Sequence, residues 1–216
     1  VSFTVIDAPQ RSEAWFKARA GRITGSVAKE MLAKLKDGKP AAGRKNLCLR
    51  LMLERVTGKP QESEFVSAAM QAGIEREEFA FAAYEALTGD VVARSGFLSH
   101  DTLMAGCSLD GHLGNFDKLL SIKCRQPAAH LDFIRSQKVP MDALTQIRHE
   151  LWLTGAQAHD YFSWNPDFPE DLQSRVITVT RAQAEIPEYE AEVLNFLAEV
   201  DTEVNALNTI RKGWAA

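Results

Sequence analysis

Residues 106–123, GCSLDGHLGNFDKLLSIK, constrain this chain more than any other stretch. Asp-Gly punctuation between short apolar runs marks a chain reversal, so the segment reads as two short strands joined by a turn, with Asp110 ending the first and Lys123 on the second. Over 116–124 successive side chains alternate between faces, which puts Asp117, Leu119, Ser121 and Lys123 on one side and Phe116, Leu120 and Ile122 on the other. A carboxylate and an ammonium are thus expected at neighbouring strand ends. That pairing suits metal-assisted phosphodiester hydrolysis: a hard divalent cation takes oxygen ligands from carboxylates, water and the substrate's phosphate, and a lysine beside it orients or deprotonates the attacking water. A half-exposed structural strand carries the same two residues, so the rest of the chain has to decide.

The chain has 216 residues, enough for one domain, 1–216, with a sizeable core. No apolar run approaches the ~20 residues of a membrane span and no leader pattern opens the chain, so no membrane partner and a cytoplasmic location are expected. The absence of Met before Val1 suggests processing or a cut boundary. Cys48, Cys107 and Cys124 share no CxxC spacing, which favours reduced thiols over a zinc site. The net charge of −4 speaks against a nucleic-acid partner, but residues 1–60 hold 13 Lys/Arg against 5 Asp/Glu while 61–216 hold 12 against 24. Such asymmetry points either to a local phosphate-binding surface or to a solvated helical face.

The N-terminal part reads as a short strand, then a helix capped by Ser12, then a second helix capped by Ser26 and reaching about Leu35. Thr24 and Ser26, with Arg19 and Arg22 close by, form either an anion site or a pair of simple caps. A polar loop over 34–45 offers lysines for backbone contacts or is a plain surface loop. Helices follow over 46–57, stopped by Gly58, and over 74–87, where Ala80, Phe81 and Tyr84 share a face rimmed by Glu77. Residues 65–71 are ambiguous. Strands are expected over 91–94 and 96–98, a helix from Pro127 that stops before Pro140, a longer helix over 141–154, strands over 158–164 and 175–180, and a terminal helix over 185–210. His149-Glu150 begins a zinc-protease pattern, but Leu occupies 153, so that reading is rejected. The order fits an α/β domain with a mixed β-sheet flanked by helices and a long C-terminal helix.

Several motifs agree with one family. Leu109-Asp110 followed by Ser121-Ile122-Lys123 resembles the PD-(D/E)xK nuclease motif. Trp15-Phe16-Lys17-Ala18-Arg19 with Ile23-Thr24-Gly25-Ser26 resembles the opening of the phage lambda exonuclease family, the viral-recombinase alkaline exonucleases. Gly73 with Glu77, Ala80 and Tyr84 is similar to that family's GxxxExxA helix, Cys107-Ser108-Leu109-Asp110-Gly111 to its CSPDG, 119–124 to its LEIKCP strand and 146–154 to its QxQxxxWxT helix, with Arg148 for the second Gln. The resemblance covers roughly 12–165.

It implies a restriction-endonuclease-like fold and a Mg²⁺-dependent exonuclease, with Mn²⁺ able to substitute, that digests double-stranded DNA from the 5′ end. It also implies a homotrimer ring around DNA ends and a single-strand annealing protein as partner in recombination. By position, Asp110, Glu77 and the Ile122 backbone carbonyl would bind metal, Lys123 would attend the water, and Ser121 and Gln146 would complete the catalytic group. Arg19, Thr24, Ser26 and Ser108 would hold the 5′-phosphate, Met70 would wedge the end base pair, and Lys36 and Lys39 would follow the DNA backbone. Residues 1–60 would be the basic end-binding part, 61–165 the nuclease core and 166–216 a C-terminal strand and helix.

The sequence departs from the pattern at Leu109, in place of Pro, and in 125–127, where the proline moves downstream. The departure that matters is Ser121, where the motif has a metal-bridging carboxylate. Asp117 is on the same strand face but about 13 Å away along it; Glu77 or Glu78 shifting across from the helix is the other rescue. Three classes follow: an active exonuclease, a catalytically weakened or altered relative that binds DNA ends, and an unrelated α/β nucleic-acid-binding protein.

Overall fold

The computed structural model describes residues 2–61 and 68–214, the side chains of 68–74 excepted. Its strands divide into two mixed four-stranded sheets, where the sequence suggested one.

The first sheet is built from very short strands. β1 (Phe3–Ile6) pairs antiparallel with β3 (Phe97–His100), β3 with β4 (Ala105–Cys107), and β4 runs parallel to β2 (Ile23–Thr24). β3 and β4 approach so closely that a Cβ at Gly106 would stand 2.1 Å from Phe97 Cζ and 2.7 Å from the Leu98 carbonyl oxygen. Helix α1 (Glu13–Arg19) feeds β2 and starts where expected, the Ser12 hydroxyl accepting from Trp15 N–H at 3.2 Å.

The second sheet has order β5-β6-β7-β8: β5 (Gly111–Leu113) antiparallel to β6 (Lys118–Cys124), β6 parallel to β7 (Ala158–Trp164), β7 antiparallel to β8 (Ser174–Thr180). The 106–123 stretch is therefore not one hairpin. Cys107 ends a strand of the first sheet, Gly111 starts one of the second, and Asp110 lies at the crossing. Phe116 and Asp117 belong to the β5–β6 turn, not to β6: Gly114 and Phe116 have φ of 59° and 61°, and Asp117 Oδ2 accepts from Asn115 N–H at 3.3 Å. Within β6 the alternation holds. Leu120 and Ile122 bury against Ala80, Phe81 and Tyr84 of helix α4 (Ala68–Thr88), which extends further toward the N-terminus than the sequence suggested, while Leu119 joins the larger core on the other face.

That larger core lies under α5 (Pro127–Ser136), α6 (Met141–Thr154) and α7 (Ile186–Trp214). α6 takes the expected bounds, with Gly155 at φ 79° closing it. The second N-terminal helix is much shorter than expected: a 3-10 turn, Gly25–Val27, and then α2 (Ala28–Met31). α3 (Ala42–Thr57) starts earlier than expected, leaving a tight turn over 34–40. Between β-elements, 91–94 contributes only a bridge from Ala93 to His112 among the described residues.

Part of the basic excess in the first sixty residues faces α7. Arg44 Nη2 meets Glu199 Oε1 at 2.6 Å, Arg55 Nη1 meets Asp201 Oδ1 at 2.6 Å, and Lys34 Nζ meets Glu192 Oε1 at 2.6 Å. Those bases anchor the terminal helix. Among the described residues no helix is long and apolar enough to cross a membrane.

Candidate active site

Asp110 is fixed by the end of the β5–β6 ladder. Gly111 pairs with Leu120, so two residues further along β6 the Ile122 N–H has no ladder partner on that side and donates to Asp110 Oδ2 at 2.8 Å. The N–H and C=O of one strand residue point the same way, so the Ile122 carbonyl also faces the Asp110 side. Lys123 Nζ lies 3.5 Å from the same oxygen, Oδ2, which leaves the lone pairs of Oδ1 for another ligand. The Asp110 charge is the main reason the Lys123 pKa is raised, against the opposing effect of burial; the side chain is held as an ammonium.

Two cavities meet at Asp110. The outer one, about 450 Å³, is lined by Asp7, Gln10, Glu77, Arg94 and Asp110 among others. Burial pushes the Glu77 carboxyl up from its ordinary range, and the Asp110 charge adds to the shift. Two carboxylates facing one space and repelling each other are a donor set that fits a divalent cation. Among the described residues no three His, Cys, Asp or Glu side chains stand close enough to hold a metal alone, so a cation here would complete its shell with the Ile122 carbonyl, water and phosphate oxygens. Glu78 does not reach this space: it takes both its oxygens to Arg94, at 2.7 and 2.9 Å.

The inner cavity, about 180 Å³, is lined by Trp15, Arg19, Gly25, Ser26, Ser108, Asp110, Gln146 and Glu150, with Gln10 and Cys107. Arg19 Nη2 donates to Ser26 Oγ at 3.2 Å and to Thr24 Oγ1 at 3.4 Å, and the two hydroxyls are 3.1 Å apart. The Arg19 guanidinium lies 4.1 Å over the Trp15 ring, whose indole N–H donates to Ser108 Oγ at 2.8 Å. Neither Thr24 nor Ser26 caps a helix with its side chain here; the hydroxyls turn to Arg19 instead. Of the four residues read from the sequence as a possible anion site, Arg19, Thr24 and Ser26 lie together, while Arg22 turns away and donates to the Leu103 and Ala105 carbonyls at 3.2 and 3.5 Å; Ser108, named by the resemblance, joins through Trp15.

Of the other sequence candidates, Gln146 lines the inner cavity and Ser121 is buried on β6. Lys36 and Lys39 lie in the turn before α3, lining neither cavity, with Lys39 paired to Asp37 at 3.0 Å. The Met70 side chain falls outside the described residues. Sequence reasoning missed Glu150. Its carboxylate is 1 % exposed, accepts from Gln146 Nε2 at 2.8 Å through Oε1, and meets His159 Nε2 at 2.7 Å through Oε2. The signal was present: Gln146 and Glu150 are one helical turn apart and so share a face.

A carboxylate and a lysine lie at the seam of two sheets, beside a pocket of arginine and hydroxyls. Residues 14–157 match the YqaJ-like viral recombinase domain, and the chain belongs to that family, the viral-recombinase alkaline exonucleases. It is 33 % identical to the alkaline exonuclease LHK-Exo of Laribacter hongkongensis, covering 94 % of this chain and 100 % of that one at a TM-score of 0.82, and matches equally the same enzyme solved in complex with dAMP. A phage-related exonuclease from Haemophilus somnus 129PT shares the fold at 12 % identity, with a TM-score of 0.69 over 86 % of this chain and 96 % of that one. No curated protein matches the sequence.

Proposed function

We propose that this protein is a Mg²⁺-dependent exonuclease that digests linear double-stranded DNA from the 5′ end. The observation that carries the reading is the position of Asp110 between the Arg19–Ser26–Ser108 pocket and the cavity of Glu77. A terminal phosphate held in the first places the adjoining diester beside the second. The likeness to an exonuclease solved with dAMP, a deoxynucleoside monophosphate, supports release of mononucleotides.

The cation, for which Mn²⁺ can stand in, would be held by Asp110, Glu77 and the Ile122 carbonyl; when bound it polarises the phosphate and eases deprotonation of a water. Everything else falls to the chain. Lys123, kept as an ammonium, donates hydrogen bonds that orient the attacking water and offset charge on the reacting phosphoryl group. Arg19, Thr24, Ser26 and Ser108 hold the terminal phosphate, and Gln146 steadies the wall between pocket and reacting centre. Lys36 and Lys39 follow the duplex backbone, Met70 wedges the end base pair, and three copies encircle the DNA beside a single-strand annealing protein.

The test is nucleotide release from linear duplex with and without Mg²⁺, comparing 5′-phosphate with 5′-hydroxyl ends and with closed circles. Mg²⁺-dependent release from linear duplex, faster from 5′-phosphate ends, is expected. Equal rates on both ends would sink the pocket assignment. End binding without digestion would favour the second reading, a weakened relative, which Ser121 keeps open. A monomeric mass in solution would contradict the ring.

A further inference from the structure

Resting on that reading, we propose that Arg94 binds the phosphodiester that follows the scissile one, and that Glu78 occupies its guanidinium until DNA arrives. Three carboxylates, those of Asp7, Glu77 and Asp110, line the outer cavity, and Arg94 is the one cationic side chain among the described residues that line it. A strand leaving the reacting centre through a space of that charge is repelled unless a cation meets its next phosphate. Lys123 and the cation site attend the scissile group, which leaves the next one for Arg94. The position suits that role. Asp110 is shared by both cavities, whereas Arg94 lines the outer one alone, and its charge acts on Glu77, opposing the rise in that carboxyl's pKa. Outward from the Arg19 pocket the order is terminal phosphate, scissile diester at Asp110 and Glu77, and then Arg94.

The guanidinium is held ready for an anion. It lies 4.0 Å over the ring of Phe81, a buried residue of α4, and its two Nη atoms donate to the Glu78 carboxylate at 2.7 and 2.9 Å. Glu78 and Phe81 are three residues apart on one helix and so are neighbours on its surface, fixing the fork from two sides. A planar fork that meets a carboxylate through two parallel hydrogen bonds meets a phosphate the same way. The Arg94 and Glu78 side chains are 51 % and 73 % exposed, and an ion pair so open to water contributes little to stability, so exchanging the carboxylate for a phosphate meets little resistance. Beside it, Ser95 lines the same cavity with a buried hydroxyl that has no hydrogen-bond partner among the described residues. Such a hydroxyl can donate to a phosphate oxygen. The competing explanation is that Arg94 and Glu78 form an ordinary surface ion pair.

The experiment places a single uncharged methylphosphonate at the second linkage from the 5′ end of a linear duplex. It reads end binding by fluorescence anisotropy without metal and, separately, release of the first nucleotide with Mg²⁺. In the unaltered chain the neutral linkage is expected to weaken binding about tenfold, the loss of one charge-assisted contact. Arg94→Gln is expected to lose a similar factor on the natural duplex and to be indifferent to the methylphosphonate, since protein and substrate changes then remove the same contact. If Arg94→Gln does not fold by circular dichroism, Arg94→Lys, which keeps the charge without the fork, is read in its place, with a partial loss of that sensitivity expected. Glu78→Gln should tighten end binding in the unaltered background and have no effect in the Arg94→Gln background, whereas mere removal of a negative charge would tighten both; equal tightening overturns the role given to Glu78. An equal methylphosphonate effect with and without the Arg94 substitution overturns the proposal, while release of nucleotide from the natural duplex leaves the exonuclease reading intact. Binding that depends on Arg94 and on this linkage, in a chain that releases no nucleotide, overturns that reading and keeps the assignment.

Discussion

The two sheets hold different halves of the site. The first, β1-β3-β4-β2, presents hydroxyls and backbone: Thr24 ends β2, Ser26 follows in the 3-10 turn, Ser108 follows β4, and Arg19 reaches them from α1. The second, β5-β6-β7-β8, presents charge: Lys123 on β6 and Asp110 at its edge, with His159 on β7 touching Glu150. A small, short-stranded sheet suits a pocket because its backbone turns often and exposes small polar residues. A longer, register-locked sheet suits reacting groups, which need tighter placement. The seam between the sheets is where a terminal phosphate and the next diester would lie side by side, and the proposed function divides accordingly into gripping and cleaving.

The sharpest way to break that division is to disable the second sheet and ask whether the first still recognises an end. Asp110→Asn and Lys123→Ala are each expected to lower single-turnover nucleotide release by about 10²–10³-fold or more on 5′-phosphate and 5′-hydroxyl duplexes alike. Binding measured by fluorescence anisotropy should still favour the 5′-phosphate end. Loss of that preference in Lys123→Ala would show that the grip and the reacting group are one unit.

The second sheet was also the more legible half. β7 and α6 take the expected bounds because Pro140 and Gly155 delimit the helix and the strands are long enough for alternation to show. β2 and β4 are two and three residues long and pair Ile23 with Ala105, a contact no local pattern announces. From local pattern alone the whole 106–123 stretch therefore reads as one hairpin. Asp110 and Lys123 were legible because both lie in it. Glu150 was only half legible: Gln146 a helical turn earlier is a local partner, but His159 on β7 meets it through tertiary structure that no local pattern announces. The charge asymmetry was legible, but its destination was not: acidic side chains 192, 199 and 201 of α7 lie far along the chain from Lys34, Arg44 and Arg55.

One residue ties the halves together. His149 is fully buried on α6; its Nε2 donates to the Gly106 carbonyl of β4 at 3.0 Å, and its Nδ1 accepts from the Tyr189 hydroxyl of α7 at 2.8 Å. Burial lowers its pKa from the ordinary 6.5 to about 4, with the Arg19 charge helping and the Gly106 carbonyl opposing. Above 6.5 the ring is neutral in folded and unfolded chain and pH has no leverage through it. As pH falls from 6.5 to 4 only the unfolded chain takes up the proton, so stability drops, by about 3 kcal/mol over the window. Urea unfolding at pH 7, 5.5 and 4.5 should show that slope, and His149→Gln should flatten it whatever its effect at pH 7. An equal slope in both proteins would mean that other groups carry the acid sensitivity.

On the gripping side, Arg19→Ala is expected to erase most of the advantage of a 5′-phosphate, since a charge-assisted contact contributes about 1.5–3 kcal/mol, roughly 10- to 100-fold. The maximal rate on 5′-hydroxyl ends should change little. Kinetics on matched duplexes differing only in the terminal phosphate decide the point. An equal loss on both ends would make Arg19 a part of the cleaving half.

The smallest effect in this series tests how the grip itself is built. Trp15 serves the pocket twice, holding Ser108 through its indole N–H and lying under the Arg19 guanidinium. Trp15→Phe keeps an aromatic face for Arg19 and removes the N–H, so it should cost only one ordinary hydrogen bond, about 0.5–1.5 kcal/mol or roughly two- to tenfold in 5′-phosphate preference. Trp15→Leu removes the face as well and should cost more, since a partly buried cation–π contact adds about 0.5–2 kcal/mol. Ser108→Ala in the Trp15→Phe background should then add less than it does alone, because the two residues act through one hydrogen bond. Full additivity in that double-mutant cycle would separate Trp15 from Ser108 and leave Arg19, Thr24 and Ser26 as the working pocket.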